Sequence, residues 1–482
     1  MGFITLLFAN LIILGSSKTA CTISIDNQEQ FDDLQSLLDT AISKGYRTIT
    51  VNLVPGHYYY SENHLAFINK NLPKVTVAIK GNGAFLTGKG VFNPTGEAFR
   101  LNSSYLIKDS LLTSFSSVYK AKSVVTHVKG TLYKIKCPKL PGTARKADYI
   151  KLTEAYNAHN YPVEKIRRST VFFHAESPEW LNMDFTFAKQ MPRFKLSVCP
   201  TGKNVFRSDV CCFMYFYCSS FKSVSVEGVY FTGNANLKYM SLIRTIELKC
   251  EQFKIEQCSF NCLMGNLMEA QKTSNIFFIN NKVTYCNGFG LTTDAYCDNT
   301  RVLNNTFYYT GLGMGPTFCV CVRGNNYLVQ NNVFCNFGYC AIAAGVYYAD
   351  EIPTKSCGII EKNTIYYDSD YLSDIENYQV MDGGAIYLFT RNDKVLIRNN
   401  TIHDIDGRYQ NRGIFCDDGA CGFEICHNTI YNIKNSYCID SRRVKEIESD
   451  VNPNSKVRKT NINNTMYSNN VDGRIRFEVR DK

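Results

Sequence analysis

Short runs of four to six apolar residues, rich in Ile, Val, Phe and Tyr, recur through the second half of the chain with no helical period between them. Such runs, bounded by polar turn residues, predict β-strands. The pattern is densest from Met381 to Arg443, where one unit appears twice. Ala385-Ile386-Tyr387 leads through a turn to Val395–Ile402, and Gly413-Ile414-Phe415 leads likewise to Phe423–Ile430. In each copy the second strand ends in Asn and is followed by Thr-Ile, and the two Asn-Thr-Ile units are 28 residues apart.

Aligning on the residue that follows an apolar strand extends the repeat to Cys258, Asn281, Asn305, Asn332, Asn363, Asn400, Asn428 and Asn464. The steps are 23, 24, 27, 31, 37, 28 and 36 residues. Self-similarity at this period predicts a solenoid. Asn suits a turn because its side chain bonds nearby backbone and tolerates left-handed dihedrals. Stacked in successive coils, the same residues can form an internal amide ladder. Upstream, Gln28–Lys44 has apolar residues at 31, 34, 37, 38 and 41, which predicts an amphipathic helix ended by Gly45. A strand at 48–53 and the turn Pro55-Gly56-His57-Tyr58 follow, and strands at Val75–Lys80 and at Phe92 continue the first turns. From about Lys120 to Arg207 the period is lost, and it resumes near Ser223.

With these residues, the chain resembles the right-handed parallel β-helix proteins, the pectate-lyase-like group of secreted carbohydrate-active enzymes. The resemblance covers residues 220–475 and, more weakly, 45–100. It implies an all-β fold: a right-handed parallel β-helix with an N-terminal capping helix and an inserted irregular or β subdomain. The corresponding division is a signal peptide over 1–20, a cap and first coils over 21–119, inserted subdomain or long loops over 120–220, and β-helix repeats over 221–482.

Composition narrows the function without naming it. The net charge of +10 over 482 residues suits an acidic polysaccharide but contains no focused basic run of the kind nucleic acids select. Residues 3–15 form an apolar run too short to span a membrane and right for a signal-peptide core, ahead of Ser16–Ala20. Export to a secreted, periplasmic or cell-surface location follows, with Cys21 as a candidate lipid anchor and no downstream membrane span. The 20 cysteines admit disulfides in an exported chain. Several, including Cys319, Cys321, Cys335, Cys416 and Cys426, fall at strand positions, where a thiol serves as a small buried apolar group.

The candidate chemistry comes from strand parity. If Ile386, Leu388 and Ile414 point inward, Tyr387, Phe389, Phe415 and Asp417 point outward. Aligning Ile439 with Ile414 puts Asp440 and Arg442 outward as well, with Asp440 about 8 Å diagonally from Asp417 at the backbone. Asp382 opens the preceding coil, Asp418 caps the turn after Asp417, and Arg443 follows Arg442. Glycoside hydrolysis needs two carboxylates, about 5–5.5 Å apart for retention and about 6.5–9.5 Å for inversion. The expected catalytic set is Asp382, Asp417 and Asp440; Tyr387, Phe389, Phe415, Asp418, Arg442 and Arg443 are expected to bind a poly- or oligosaccharide, with no cofactor. One alternative is a lyase acting on a uronic-acid polymer. It would draw its cations from Arg391, Arg398, Arg408, Arg412, Arg442 and Arg443, and bind Ca²⁺ through Asp382, Asp417 and Asp418. The other is a non-catalytic carbohydrate-binding or adhesive solenoid. His403 and His427, beside the repeating Asn, read as surface or turn residues.

Overall fold

The computed structural model describes residues 19–60, 64–88, 212–234, 241–263, 266–286, 288–311, 317–345, 356–373, 383–388, 394–406, 411–417, 420–441 and 465–477. Between 99 and 196 it also describes seven strands. Among these residues the chain winds through three parallel sheets of 12, 11 and 11 strands, here sheets 1, 2 and 3. One coil runs Tyr327–Gln330 in sheet 1, Val333–Phe337 in sheet 2 and Cys340–Ala344 in sheet 3, then re-enters sheet 1 at Cys357–Glu361. Each strand pairs in parallel with its counterpart one coil on, as Tyr327 does with Gly358. Parallel crossovers of this kind close right-handed, so the fold is a right-handed parallel β-helix.

Alternation builds the core. In Lys394–Arg398, Val395 and Ile397 are buried while Lys394, Leu396 and Arg398 face outward. Inward phenylalanines stack coil on coil: Phe231 on Phe260 at 5.1 Å, and Phe307 on Phe334 at 4.9 Å. Burying such rings, together with their ring-on-ring contacts, adds to the aliphatic burial that stabilises the solenoid.

The corner between sheets 1 and 2 carries the repeat. The backbone N–H of Asn281 donates to the side-chain oxygen of Asn305 at 2.8 Å, and Asn305, Asn332, Asn363 and Asn400 continue the series to Asn428. Cys258 begins it, its N–H donating to Asn281. The two roles read from Asn divide between neighbours. The ladder Asn is buried, and the residue before it takes the left-handed turn: Asn304, Asn331, Lys362, Asn399 and His427 all have φ of 55–57°. The last member differs from expectation. Asn428 donates to Asn469, not Asn464, which lies outside the described residues. In this repeat Asn463-Asn464 precedes the sheet 1 strand Thr465–Tyr467, and the corner follows it at Ser468-Asn469.

At the N-terminal end the expected helix is two, Gln28–Asp32 and Leu34–Ser43, separated at Asp33. Asn27 caps the first through its side chain, and Phe31, Leu34, Leu38 and Ala41 bury against the core. Gly45 leaves with φ of +85°. In sheet 3, Leu65–Ile68 pairs in register with Met214–Tyr217 of the next coil, although some 150 residues separate them in sequence. A separate seven-stranded sheet, mostly antiparallel, is formed by strands from Phe99–Leu101 to Met191–Leu196. Phe92 lies outside the described residues.

Most of the cysteines whose side chains are described are buried, as Cys258, Cys319, Cys335, Cys416 and Cys426 are. Burial pushes the thiols of Cys258, Cys286 and Cys416 from 9.0 up to about 12. An unfolded thiol ionises near 9, so above that pH the unfolded chain releases protons that the folded chain retains. The thiol contribution is therefore intact below pH 9 and is lost as pH rises towards 12. Urea midpoints should fall from about pH 8 to about pH 10; a flat profile would contradict this burial.

Candidate functional site

Sheet 3 provides the wall on which the predicted residues meet. Ile414 pairs with Ile439, so Phe415 lies beside Asp440, and one coil earlier Tyr387 lies beside Phe415. Ile386, Ile414 and Ile439 enter the main core, whereas Tyr387 and Phe415 form a second cluster outside it with Phe318, Cys321, Tyr339, Cys340 and Ala343. This half of the outer wall thus carries an apolar layer of its own.

That layer corrects the expectation of open aromatic platforms. Tyr387 is 5% exposed and Phe415 0%. Their rings meet edge to face at 5.3 Å, Tyr339 packs 5.5 Å from Tyr387, and the Arg412 guanidinium lies 3.8 Å over Phe415. Phe415 is therefore a packing residue, with its ring engaged by Tyr387 and Arg412. Tyr387 instead contributes its hydroxyl, which donates to Asp417 Oδ2 at 2.6 Å. Burial, then the neighbouring Tyr339 and Asp417, push that phenol far above its ordinary range, so it stays protonated and keeps donating.

Asp440 is corrected more sharply. It is 0% exposed, accepting from Arg412 Nε at 2.9 Å and from Arg476 Nε and Nη2 at 2.6 Å each. Both oxygens are engaged within the fold, so the carboxylate has no path to a glycan. It is the centre of an ion triad in which Asp440 and Arg412 are buried while Arg476 is 38% exposed, so breaking the buried Arg412–Asp440 pair is the costly change, at about 3–5 kcal/mol. Arg412 is spent on the same triad at 3% exposure, and Arg398 lies on sheet 1, away from this wall, paired with Glu361 at 2.6 Å.

Asp417 remains. It follows the strand Arg412–Cys416, its N–H donates to Leu388 O, and its own carbonyl accepts from Ala420 N in the turn beyond. Its exposure is 7%, at the end of the aromatic layer. Asp382, Phe389, Asp418, Arg442, Arg443, Arg391 and Arg408 lie outside the described residues. Among the described residues no group of three or more His, Cys, Asp or Glu is placed to hold a metal, and no helix is long and apolar enough to cross a membrane. His403 belongs to sheet 2, stacked between Tyr366 at 4.9 Å and Tyr431 at 5.0 Å, with Nδ1 2.6 Å from Asp404. His427 occupies the left-handed corner.

The chain matches no protein-family model and no curated protein. Solved structures similar to it include a glycoside hydrolase at 10% identity, covering 94% of this chain and 96% of that one, with a TM-score of 0.48. An exopolygalacturonase from Thermotoga maritima is 11% identical over 86% of this chain and 88% of its own, with a TM-score of 0.32. A Dettilon tailspike protein is 12% identical over 84% of this chain, with a TM-score of 0.32, and the match spans 64% of the tailspike.

Proposed function

We propose that the protein is an exported glycoside hydrolase that cleaves a poly- or oligosaccharide on the outer wall of sheet 3. Asp417 is the reacting carboxylate and Tyr387 the positioning residue. The observation that carries this reading is the 2.6 Å bond from the Tyr387 hydroxyl to Asp417 at the edge of a water-poor aromatic layer. A carboxylate fixed by a neutral donor in a low-dielectric wall is pre-organised for acid–base work. The second carboxylate of the pair is Asp382, since Asp440 is committed to its arginines.

Incubating the protein with a polysaccharide panel tests the reaction class. New reducing ends without ultraviolet absorbance are expected. Absorbance from unsaturated products accompanying the reducing ends would make it a lyase. Neither signal would leave a binding solenoid.

A further inference from the structure

The same wall carries a second feature, far from Asp417 and unused by the proposed chemistry. Where the strands Asn266–Gln271 and Leu291–Thr293 lie side by side, a pocket of about 210 Å³ opens, lined in part by Asn266, Glu269, Gln271, Phe289, Asp294 and Arg323. Register places Glu269 in the outward column that continues through Thr292, Cys321 and Ala343 to Tyr387 and Phe415. Five coil steps separate Glu269 from Phe415, or about 24 Å along the axis. Phe289 stacks on Phe318 at 5.5 Å, so the pocket begins where the aromatic layer of the Asp417 half ends.

Its polar groups are held in place. Glu269 accepts from Gln271 at 2.6 Å and sits 3.4 Å from Arg244 Nε. Asp294 accepts from the backbone N–H groups of Lys272 at 3.1 Å and Tyr296 at 3.0 Å. Asn266 accepts from Phe289 N at 2.9 Å, fixing its amide. The charged lining residues are Glu269, Asp294 and Arg323, and the nearby Arg244 and Lys272 are paired with Glu269 and Glu247, so the described residues present no surplus of cations to an acidic sugar. The site offers fixed acceptors, amide and guanidinium donors, and an aromatic ring. That set suits a neutral polyol, whose every hydroxyl both donates and accepts. The volume lies below the roughly 300–1,000 Å³ of drug-sized ligand sites, which limits the occupant to a small unit such as a single sugar.

We infer that this pocket is a distal subsite for a neutral sugar unit of the same polymer whose cleavage is placed at Asp417. The inference rests on the proposed hydrolase reading for the identity of the polymer. A chain long enough to span the intervening coils engages both places, whereas a short oligosaccharide engages Asp417 alone.

Affinity electrophoresis in gels containing xylan, arabinogalactan, galactomannan, polygalacturonate or hyaluronan tests the pocket independently of turnover. Glu269→Gln and Arg323→Lys, introduced into the Asp417→Asn chain, should weaken retardation by a neutral polymer about tenfold, the usual loss for a hydrogen bond to a charged group. Melting curves confirm that the variants fold, and Arg323→Lys keeps the charge if Glu269→Gln disturbs the Arg244 pair. In the otherwise wild-type chain, the same substitutions should lower the ratio of kcat/KM on long over short substrates by a similar factor. Unchanged retardation in both folded variants overturns the inference, as does retardation of the parent chain by none of the polymers, or by the acidic ones alone. If Asp417→Asn leaves turnover intact, the hydrolase assignment fails, and the gel result still decides the pocket.

Discussion

Replacing Asn332 with Ala should destabilise the protein by about 3–5 kcal/mol, among the largest effects available to one substitution. The side-chain oxygen of Asn332 accepts both the backbone N–H and the Nδ2 of Asn305, each at 2.9 Å. Its own amide donates to Val302 O at 2.9 Å and to Asn363 Oδ1 at 3.0 Å. Asn305, Asn332 and Asn363 are each 1% exposed. Alanine would take a partner from the Asn305 N–H and the Val302 carbonyl of the preceding coil and one of two donors from Asn363 Oδ1 in the next, all in an apolar interior, at about 1–3 kcal/mol for each buried group left unmet. Partial relaxation keeps the total below their sum. The neighbouring Asn331 makes a useful comparison. It holds the corner with φ of 56°, and alanine there meets only the left-handed backbone penalty, about 1–2 kcal/mol. Chemical denaturation should rank Asn332→Ala well below Asn331→Ala in stability. The reverse order would show that the corner, not the ladder, holds the coils together.

The ladder was legible in the sequence because one residue type recurs at one phase of the repeat. Register was legible for a related reason. A one-residue slip would exchange Ile439 with Asp440 between core and outer wall, so the apolar pattern admits the observed pairing of Ile414 with Ile439 and little else. Asn464 misled because Asn-Asn-Thr looks alike on entering a strand and on leaving one. The covered outer wall was harder to foresee, although a signal existed. Phe318–Val322 and Cys340–Ala344 contain no polar residue at either parity, and strands apolar at both parities are buried on both faces. Read that way, the adjoining Tyr387 and Phe415 belong to packing before they belong to a substrate. The triad around Asp440 was beyond local pattern. Arg476 arrives 36 residues later, across the long Arg443–Val457 insertion, and Arg412 approaches from the opposite side in sequence.

The second large effect concerns Asp417, whose substitution by Asn should lower turnover by at least about a thousandfold, the combined scale of lost acid–base and electrostatic stabilisation. Asparagine keeps the size of the side chain and an oxygen that still accepts from the Tyr387 hydroxyl, so the fold should tolerate it. Tyr387→Phe removes that donor while leaving the carboxylate, and should cost much less, about one to two orders of magnitude, as expected of a positioning residue. Asp440→Asn should behave in the opposite manner, disturbing stability through Arg412 and Arg476 before it touches chemistry. Turnover of the Asp417→Asn chain on a polysaccharide cleaved by the wild type, with melting curves alongside, tests the central claim most directly. The account predicts a folded protein that releases almost no reducing ends. A folded Asp417→Asn chain cleaving at the wild-type rate would contradict it.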